Sequence, residues 1–239
     1  MHSLLHLIKN TPEIEQQLHD SIENKDYPTT AISFVNPFSY LLLREDKKHY
    51  ENINHLYSDG IISCIAFNNL LGKHFPRVSF DHGSFAKTFF EVANVKKLPI
   101  FFLGSTEKQL QGAIKQFKSS YKSLNVCGSH NGYFTCDNDI IDKIRASGAQ
   151  YVICGLGTPK QDIFAQKIKK ELSTQVKQIY TCGGFLHQSE SQVNYYPDFI
   201  NKYNLRWLYR AFKEPKVAKR LLTKYPLFCF YILWDRYKK

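Results

Sequence analysis

The segment YVICGLGTPKQD, residues 151–162, carries the strongest local pattern in this chain. It opens with four apolar residues, continues through two closely spaced glycines, and ends in a polar run. An apolar run that ends in glycine is typical of a buried strand entering a loop. Apolar residues then recur at Ile163, Phe164, Ile168 and Leu172, close to helical spacing. The segment therefore predicts a strand, a turn and a helix.

The same strand pattern recurs along the chain. Similar β-branched or aromatic runs occupy residues 30–35, 99–103 and 178–182, with a weaker one at 124–127. Between them, helical spacing relates Leu110, Ala113, Ile114 and Phe117, and residues 140–144 resemble part of another helix. Strands that are apolar throughout and alternate with helices predict an α/β fold, in which helices cover both faces of a mainly parallel sheet.

Ligands of such folds bind beyond the carboxyl ends of the strands. This rule selects the loops Asn36-Pro37, Gly104-Ser105, Gly155-Leu156-Gly157-Thr158 and Gly183-Gly184. The glycines of the third loop would let a diphosphate approach the backbone at the positive end of a helix dipole. Alternatively, Thr158 and Gln161 would form a capping box, with Pro159 at the first helical position. The residues alone support both interpretations.

Three further features carry candidate chemistry. The run at 128–134 could present Tyr133 for stacking on a base, or could be an Asn-Gly turn with core aromatics. Asp59 and Asp81 follow candidate strand or loop signals, and a sugar transfer needs one base for the acceptor hydroxyl; Asp59 could equally be a turn residue. Asp137-Asn138-Asp139 spells a metal-binding DxD pattern or the start of a helix.

Positive charge is concentrated near the C-terminus. The formal net charge is +11, and residues 206–239 hold ten basic residues against two acidic ones. Basic and aromatic residues intermingle at 204–220, and a short aromatic run follows at 226–234, which is typical of an interfacial helix. This pattern predicts that the tail binds an anionic membrane surface, and the alternative partner is nucleic acid. We expect one domain at 1–197 and a helical appendage at 198–239.

Cysteine spacing and hydropathy indicate the cellular compartment of the protein. The six cysteines show no CxxC spacing, which indicates reduced thiols in a cytoplasmic protein. The N-terminal segment lacks the cleavage site of a signal peptide. No apolar run reaches the roughly 18 to 20 residues that cross a bilayer, so membrane contact would be peripheral.

Together the motifs resemble the WecG/TagA/CpsF glycosyltransferases (glycosyltransferase family 26) over roughly residues 28–225. The pieces that match, in order, are Val35-Asn36-Pro37, Asp59-Gly60 with Arg77 downstream, Phe102-Leu103-Gly104, Asn131-Gly132-Tyr133-Phe134, Gly155-Leu156-Gly157-Thr158-Pro159-Lys160-Gln161, Gly183-Gly184-Phe185, and Leu205-Arg206-Trp207-Leu208-Tyr209-Arg210 with Glu214-Pro215. The resemblance implies a Rossmann-like domain and an appendage that docks on the cytoplasmic face of the inner membrane.

The resemblance also implies an activity. It is an inverting transfer of an N-acetylhexosamine-type sugar from UDP to a polyprenyl-diphosphate-linked saccharide in surface polysaccharide synthesis, without a metal or other cofactor. A homo-oligomer is among the expected partners, and nucleic acid is not. A non-catalytic nucleotide- or nucleic-acid-binding protein is the alternative. A dehydrogenase is disfavoured because the full dinucleotide fingerprint is missing.

Individual roles follow from the same resemblance. Asp59 matches the proposed catalytic base, Gln161 lies near the donor, and Arg210 and Arg220 would hold a diphosphate, a task that suits the arginine fork. The remaining expected substrate-binding residues are Asn36, Arg77, Gly104, Tyr133, Gly155, Gly157, Thr158, Pro159, Lys160, Gly183, Gly184 and His187. Backbone amides around Gly104 and the 155–158 loop would help to offset charge on the leaving UDP.

The sequence departs from the family pattern where sugars would be bound. Phe34 stands where the family often has threonine, so that hydroxyl contact is lost or supplied by Ser33. Val217, beside Lys216, replaces an expected arginine. Two further departures are Leu186-His187-Gln188 and Tyr195-Tyr196-Pro197. We also expect the tail to order only on membrane and to complete the site there.

Overall fold

The computed structural model describes residues 4–190, 200, 206–213 and 215–237. The elements in chain order are α1 (Leu4–Lys9), α2 (Ile14–Glu23), β1 (Thr30–Val35), α3 (Pro37–Glu45), a 3-10 turn (Lys47–His49), β2 (His55–Ser58), α4 (Ile61–Leu71), α5 (Phe85–Lys96), β3 (Ile100–Gly104), α6 (Glu107–Ser120), β4 (Val126–His130), α7 (Asp137–Ser147), β5 (Tyr151–Gly155), α8 (Lys160–Glu171), β6 (Gln178–Thr181), α9 (Phe185–Gln188), α10 (Arg206–Lys213) and α11 (Pro215–Tyr237).

A single six-stranded sheet organises the described residues. Its strand order is β2-β1-β6-β5-β3-β4, and every pairing is parallel. The predicted Rossmann-like α/β fold is therefore confirmed. Because all strands point the same way, their carboxyl ends meet at one edge, where β1 and β6 lie side by side although they are the first and last strands of the chain.

Helices cover both faces of the sheet, and this explains why the strands are apolar throughout. Along β1, Ala31 and Val35 join the core cluster on one face, while Ile32 and Phe34 join the cluster on the other. Successive strand residues point to opposite faces, so a strand covered on both sides buries every residue. All six residues of β1 are buried.

The C-terminal helix α11 packs against this domain. Phe228 is fully buried, with its ring centroid 5.3 Å from that of Tyr40 on α3 and 6.1 Å from that of Phe67 on α4. Asp235 accepts hydrogen bonds from the Tyr40 hydroxyl at 2.8 Å and from the Arg44 guanidinium at 3.0 and 2.6 Å. Burial, reinforced by Asp235, raises the pKa of Tyr40, so this hydroxyl keeps its proton and remains a donor.

This packing bears on one expectation. We expected the tail to order only on membrane, and Phe228 and Ile232 of α11 belong to the same core cluster as strand residues. Their burial favours docking of α11 on the domain, and an ordering of the tail that requires membrane stays a prediction. Among the helices of the described ranges, none combines the length and apolar composition that crossing a bilayer requires. The division at residue 197/198 stays a prediction.

Candidate active site

A cavity of about 360 Å³ opens at the carboxyl ends of β1, β2, β5 and β6. Its walls come from the loops that follow these strands and from α11. The expected residues in the wall are Asn36, Asp59, Arg77, Gly157, Thr158, Gln161, Gly183, Gly184 and Arg220. Three of the four loops selected by the strand-end rule thus contribute to one cavity, of a size that holds a small ligand.

Asp59 enters the cavity from the end of β2. Its backbone N–H donates to the Val35 carbonyl at 2.8 Å, which continues the β1–β2 pairing by one residue. Its side chain is about one-third exposed and accepts a hydrogen bond from Arg77 Nη2 at 3.1 Å. The carboxylate is therefore held in place while remaining open to a ligand.

Arg77 links two carboxylates. The same Nη2 atom lies 3.1 Å from Asp81 Oδ2 and 2.7 Å from Ser79 Oγ. Burial opposes the charge of Arg77, but Asp59 and Asp81 outweigh it and raise the pKa of the guanidinium. Arg77 is therefore a fixed cation whose charge is already balanced by two carboxylates.

The two carboxylates differ in availability. Asp81 Oδ1 accepts the Gly83 N–H at 2.9 Å, and Asp81 Oδ2 accepts from the Ser79 hydroxyl as well as from Arg77. Both Asp81 oxygens are thus engaged in the loop that holds Arg77. For Asp59, by contrast, the bond from Arg77 occupies one oxygen. Geometry favours Asp59 over Asp81 as the group that could take a proton from a ligand.

Asn36 has a structural role as well as a place in the wall. Its side-chain oxygen accepts the N–H groups of Phe38 and Ser39, both at 3.0 Å, and Ser39 Oγ accepts the Asn36 N–H to complete a capping box. This cap explains why α3 begins at Pro37. The amide nitrogen of Asn36 is the polar group that remains for a ligand.

Gln161 joins two loops of the site. Its Oε1 accepts the N–H of Gly157 at 3.2 Å and of Gly183 at 3.0 Å, and its Nε2 donates to Thr158 Oγ1 at 3.3 Å. Gln161 is almost fully buried. Its place beside the expected donor site is thus explained by a scaffold role, since it ties the β5–α8 loop to the β6–α9 loop.

These bonds revise two expectations about the glycine-rich loop. The Gly157 amide already donates to Gln161, so it is not a free donor for a diphosphate. The predicted capping box is wrong, because α8 begins at Lys160, Pro159 is its N-cap, and no side chain caps it. The chain turns at Gly157, which has a positive φ of 77°, before the helix begins.

The glycines at the ends of β3 and β5 serve packing. A Cβ on Gly104 would lie 2.3 Å from the Gly155 carbonyl oxygen, and a Cβ on Gly155 would lie 2.9 Å from Cys182 Sγ. Neither glycine is part of the cavity wall. The close approach of neighbouring backbones accounts for both, and their expected substrate contacts stay predictions.

Four other expected residues lie outside the cavity wall, and the first, Pro159, is the N-cap of α8, so its substrate contact stays a prediction. Tyr133 is 78% exposed. Lys160 donates to the Gly132 carbonyl at 3.1 Å and lies 4.3 Å from the ring centroid of Phe134. His187 is exposed on α9, whereas Gln188, one residue later, lines the cavity. Contacts of Tyr133, Lys160 and His187 with a substrate stay predictions.

We did not predict the aromatic residues of the cavity wall, although the sequence departs from the family pattern at one of them, Phe34. Phe34 lines the cavity, at the position where the family often has threonine. Ser33 cannot replace that hydroxyl, because it is fully buried and bonds to Asp162 and Thr181. Alternation along β1 places residues 33 and 34 on opposite faces. Other wall residues that we did not predict are Phe38, Phe80, Phe185 and Tyr225.

Arg220 reaches the cavity from α11. Its guanidinium carbon lies 4.1 Å from the ring centroid of Phe38, and it lines the wall together with Tyr225. Arg77 is balanced by carboxylates, whereas Arg220 forms no ion pair with any residue that the structure describes. Arg220 is thus the better placed cation for an anionic ligand.

Some expected positions fall outside the described side chains. Arg210 lies on α10, but its side chain, like those of Lys216 and Val217 on α11, is not described. Residues 195–197 lie outside the described residues altogether. Their expected contributions stay predictions.

The DxD pattern starts a helix. Asp137 and Asp139 lie in the first turn of α7, where a carboxylate is favoured by the helix dipole, and Cys136 is the N-cap. Asp137 Oδ2 lies 3.4 Å from Lys167 Nζ. The pattern is not part of the cavity wall, and within the described residues no cluster of His, Cys, Asp and Glu could hold a metal ion.

Comparisons with known proteins identify a matching family model and several similar proteins. The family model described as "Glycosyl transferase WecG/TagA/CpsF family" matches residues 5–239. A UDP-Gal:alpha-D-GlcNAc-diphosphoundecaprenol beta-1,4-galactosyltransferase of Shigella boydii is 36% identical over 225 residues, which cover 93% of this chain and 91% of that protein.

Two relatives from Bacillus carry another name, N-acetylglucosaminyldiphosphoundecaprenol N-acetyl-beta-D-mannosaminyltransferase. The protein of Bacillus subtilis (strain 168) is 25% identical over 92% of this chain and 89% of its own length. That of Bacillus spizizenii is 27% identical over 69% of this chain and 63% of its own length.

Proposed function

This chain belongs to the WecG/TagA/CpsF family of glycosyltransferases, and we propose that it transfers a hexose-type sugar from a UDP-sugar to a saccharide linked to polyprenyl diphosphate. The observation that carries the proposal is one cavity whose wall contains both an available carboxylate, Asp59, and a cation without a carboxylate partner among the described residues, Arg220. A base and a diphosphate-binding cation are the two groups that this reaction requires. The alternative of a non-catalytic nucleotide- or nucleic-acid-binding protein is dropped, because the family and its named relatives are enzymes.

Galactose is the first candidate for the sugar. The relative with 36% identity is named for transfer from UDP-Gal. An N-acetylhexosamine, which we expected from the family resemblance, is the second candidate, and the two Bacillus relatives are named for N-acetylmannosamine transfer. Phe34 places an aromatic ring in the wall where the family often has threonine, which supports a change in the sugar that is bound.

The proposed chemistry is a single displacement. The acceptor hydroxyl oxygen attacks the anomeric carbon, the bond from that carbon to the UDP oxygen breaks, and the configuration inverts. Asp59 takes the hydroxyl proton as the new bond forms. Arg77 fixes the carboxylate through the 3.1 Å bond to Asp59 Oδ1, which leaves the second oxygen for the acceptor.

Two arginines are proposed to bind the diphosphates of the reaction. Arg220 lines the cavity, and its guanidinium can form paired hydrogen bonds with phosphate oxygens of the lipid-linked acceptor. Arg210 is proposed, on the basis of the family pattern, to offset the charge on the departing UDP. Because fixed cations can supply this stabilisation, the proposed reaction needs no metal.

We further propose that the tail docks the enzyme on the cytoplasmic face of the inner membrane. Along α11, Leu222, Phe230, Trp234 and Tyr237 are exposed, at 80%, 58%, 48% and 83%, and Lys219 and Lys224 are exposed on the same helix. Exposed aromatic and basic residues on one helix suit the headgroup region of an anionic leaflet. A homo-oligomer stays a prediction.

A transfer assay with a donor panel tests the function. UDP-galactose, UDP-glucose, UDP-N-acetylglucosamine and UDP-N-acetylmannosamine would each be incubated with undecaprenyl-diphosphate-N-acetylglucosamine, and products would be identified by mass spectrometry. We expect a disaccharide product from one donor, with UDP-galactose first. Absence of product from every donor, together with absence of UDP binding, would contradict the proposal.

A further inference from the structure

Helix α4 begins at the wall of the reaction cavity. It starts one residue after Gly60, and its first residue, Ile61, lines the cavity two positions after Asp59. The helix, IISCIAFNNLL, contains no charged residue. One side packs into the core through the fully buried Phe67. Helices at a protein surface normally carry a polar outer face, so the composition of α4 requires another explanation.

The outer face of α4 is apolar where it leaves the cavity. Ile65 is 55% exposed, and Ile61 and Ile62 are half-buried. Ile61 and Ile65 are four residues apart and therefore share one helix face, separated by about 6 Å along the axis. An apolar strip thus runs from the cavity wall to solvent, and it ends at Asn69, which is exposed.

A cation lies at the same mouth. Helix α11 packs against α4 and contributes Arg220 and Tyr225 to the cavity wall. The same wall therefore holds a guanidinium for a phosphate and Ile61, the first apolar residue of the strip on α4. This is the pattern that a diphosphate bonded directly to a hydrocarbon chain requires.

We propose that the outer face of α4, formed by Ile61 and Ile65, binds the first isoprenoid units of the acceptor lipid. This inference rests on the proposed function and adds the binding site for the acceptor chain. The diphosphate is held at Arg220, so the hydrocarbon leaves the cavity along α4. Burial of the isoleucine side chains against the chain supplies the affinity.

Acceptors of different chain length test this isoprenoid-binding surface, the lipid seat, in the full-length protein. N-acetylglucosaminyl diphosphate would be supplied on undecaprenol in detergent micelles, and on a short, water-soluble alkyl chain. Ile65→Glu is expected to raise KM for the undecaprenyl acceptor about 10-fold, because a half-exposed isoleucine contact is lost and a charge takes its place. KM for the short acceptor is expected to stay unchanged, and Ile65→Leu is expected to match the wild type.

Val95→Glu is the matched control. Val95 is 74% exposed on α5, whose buried residues join the core cluster on the opposite face of the sheet. It is expected to leave both KM values unchanged. Equal increases with both acceptors for Ile65→Glu, or no increase with either, would overturn the lipid seat. Loss of vesicle binding, or a change in oligomer mass, with unchanged KM in micelles would also overturn it and would assign the strip to the bilayer or to a second copy.

The proposed function is tested separately in the same experiment. Transfer by the wild type to both acceptors would support it whatever Ile65→Glu does. Transfer to neither acceptor would overturn the proposed function and, with it, the lipid seat.

Discussion

Phe228→Ala tests whether α11 is part of the folded domain. Phe228 is fully buried and forms edge-to-face contacts with Tyr40 and Phe67. Truncating a buried phenylalanine typically costs about 3 to 5 kcal/mol. If this contact anchors α11, the variant should release the helix before the rest of the domain unfolds, and Arg220 should leave the cavity with it.

The two tryptophans of the chain make this release visible. Trp207 and Trp234 both lie in the C-terminal region, so tryptophan fluorescence reports on the tail, whereas far-UV circular dichroism reports on all helices. In urea, the wild type should show coincident transitions by the two probes. In Phe228→Ala, the fluorescence transition should move to lower urea than the circular dichroism transition, and transferase activity should fall with it.

Phe230→Ala is the matched control, since Phe230 lies on the same helix and is 58% exposed. It should shift neither transition by more than about 0.5 kcal/mol. A wild-type protein whose tryptophan signal changes well before its circular dichroism signal would refute the reasoning. So would a Phe228→Ala variant whose two transitions remain coincident at wild-type urea concentrations.

Three further variants test the scaffold. Burial raises the pKa of Asp162 from 3.8 to about 6. The free energy of unfolding of the wild type should therefore fall as pH rises from about 4 through 6, because the buried carboxyl loses its proton. Relative to the wild type, Asp162→Asn should gain about 3 kcal/mol in the free energy of unfolding between pH 4 and 7, measured by urea titration. An equal difference at both pH values would contradict this. Gln161→Leu removes the acceptor for the Gly157 and Gly183 amides and should lower the Tm; a wild-type Tm would exclude the scaffold role. Gly104→Ala would place a methyl 2.3 Å from a backbone oxygen and should unfold at least about 2 kcal/mol more easily, and wild-type stability would disprove that close approach.

The sheet was predictable because its central strands are buried on both faces. Runs such as residues 151–154 are apolar throughout, and that pattern requires cover from both sides. Strand β2 was missed because it is a four-residue edge strand, HLYS, with polar residues at both ends. Helix α4 was missed for a different reason: it is apolar on its outer as well as its inner face, so it shows no amphipathic period.

Part of the site was predictable and part was not. The strand-end rule located Asn36, Gly157 and Gly183 in one cavity wall, because parallel strands bring their carboxyl ends together. Asp59 came from the family resemblance, since the strand that precedes it was missed. The commitment of the Gly157 amide to Gln161 depends on a contact between two loops. The docking of α11 depends on Phe228 meeting residues far away in the sequence. Spacing along a chain does not encode such long-range contacts.

The proposed function requires Asp59 to act as the base. The direct measurement is kcat for Asp59→Asn with the donor identified in the panel, alongside UDP affinity and Tm, with Asp137→Asn as the matched aspartate outside the cavity. Removal of a general base costs about 100-fold or more in rate. The account predicts such a loss of kcat for Asp59→Asn, with UDP affinity and Tm retained and Asp137→Asn fully active. Wild-type kcat in Asp59→Asn, or loss of activity in Asp137→Asn alone, would contradict it.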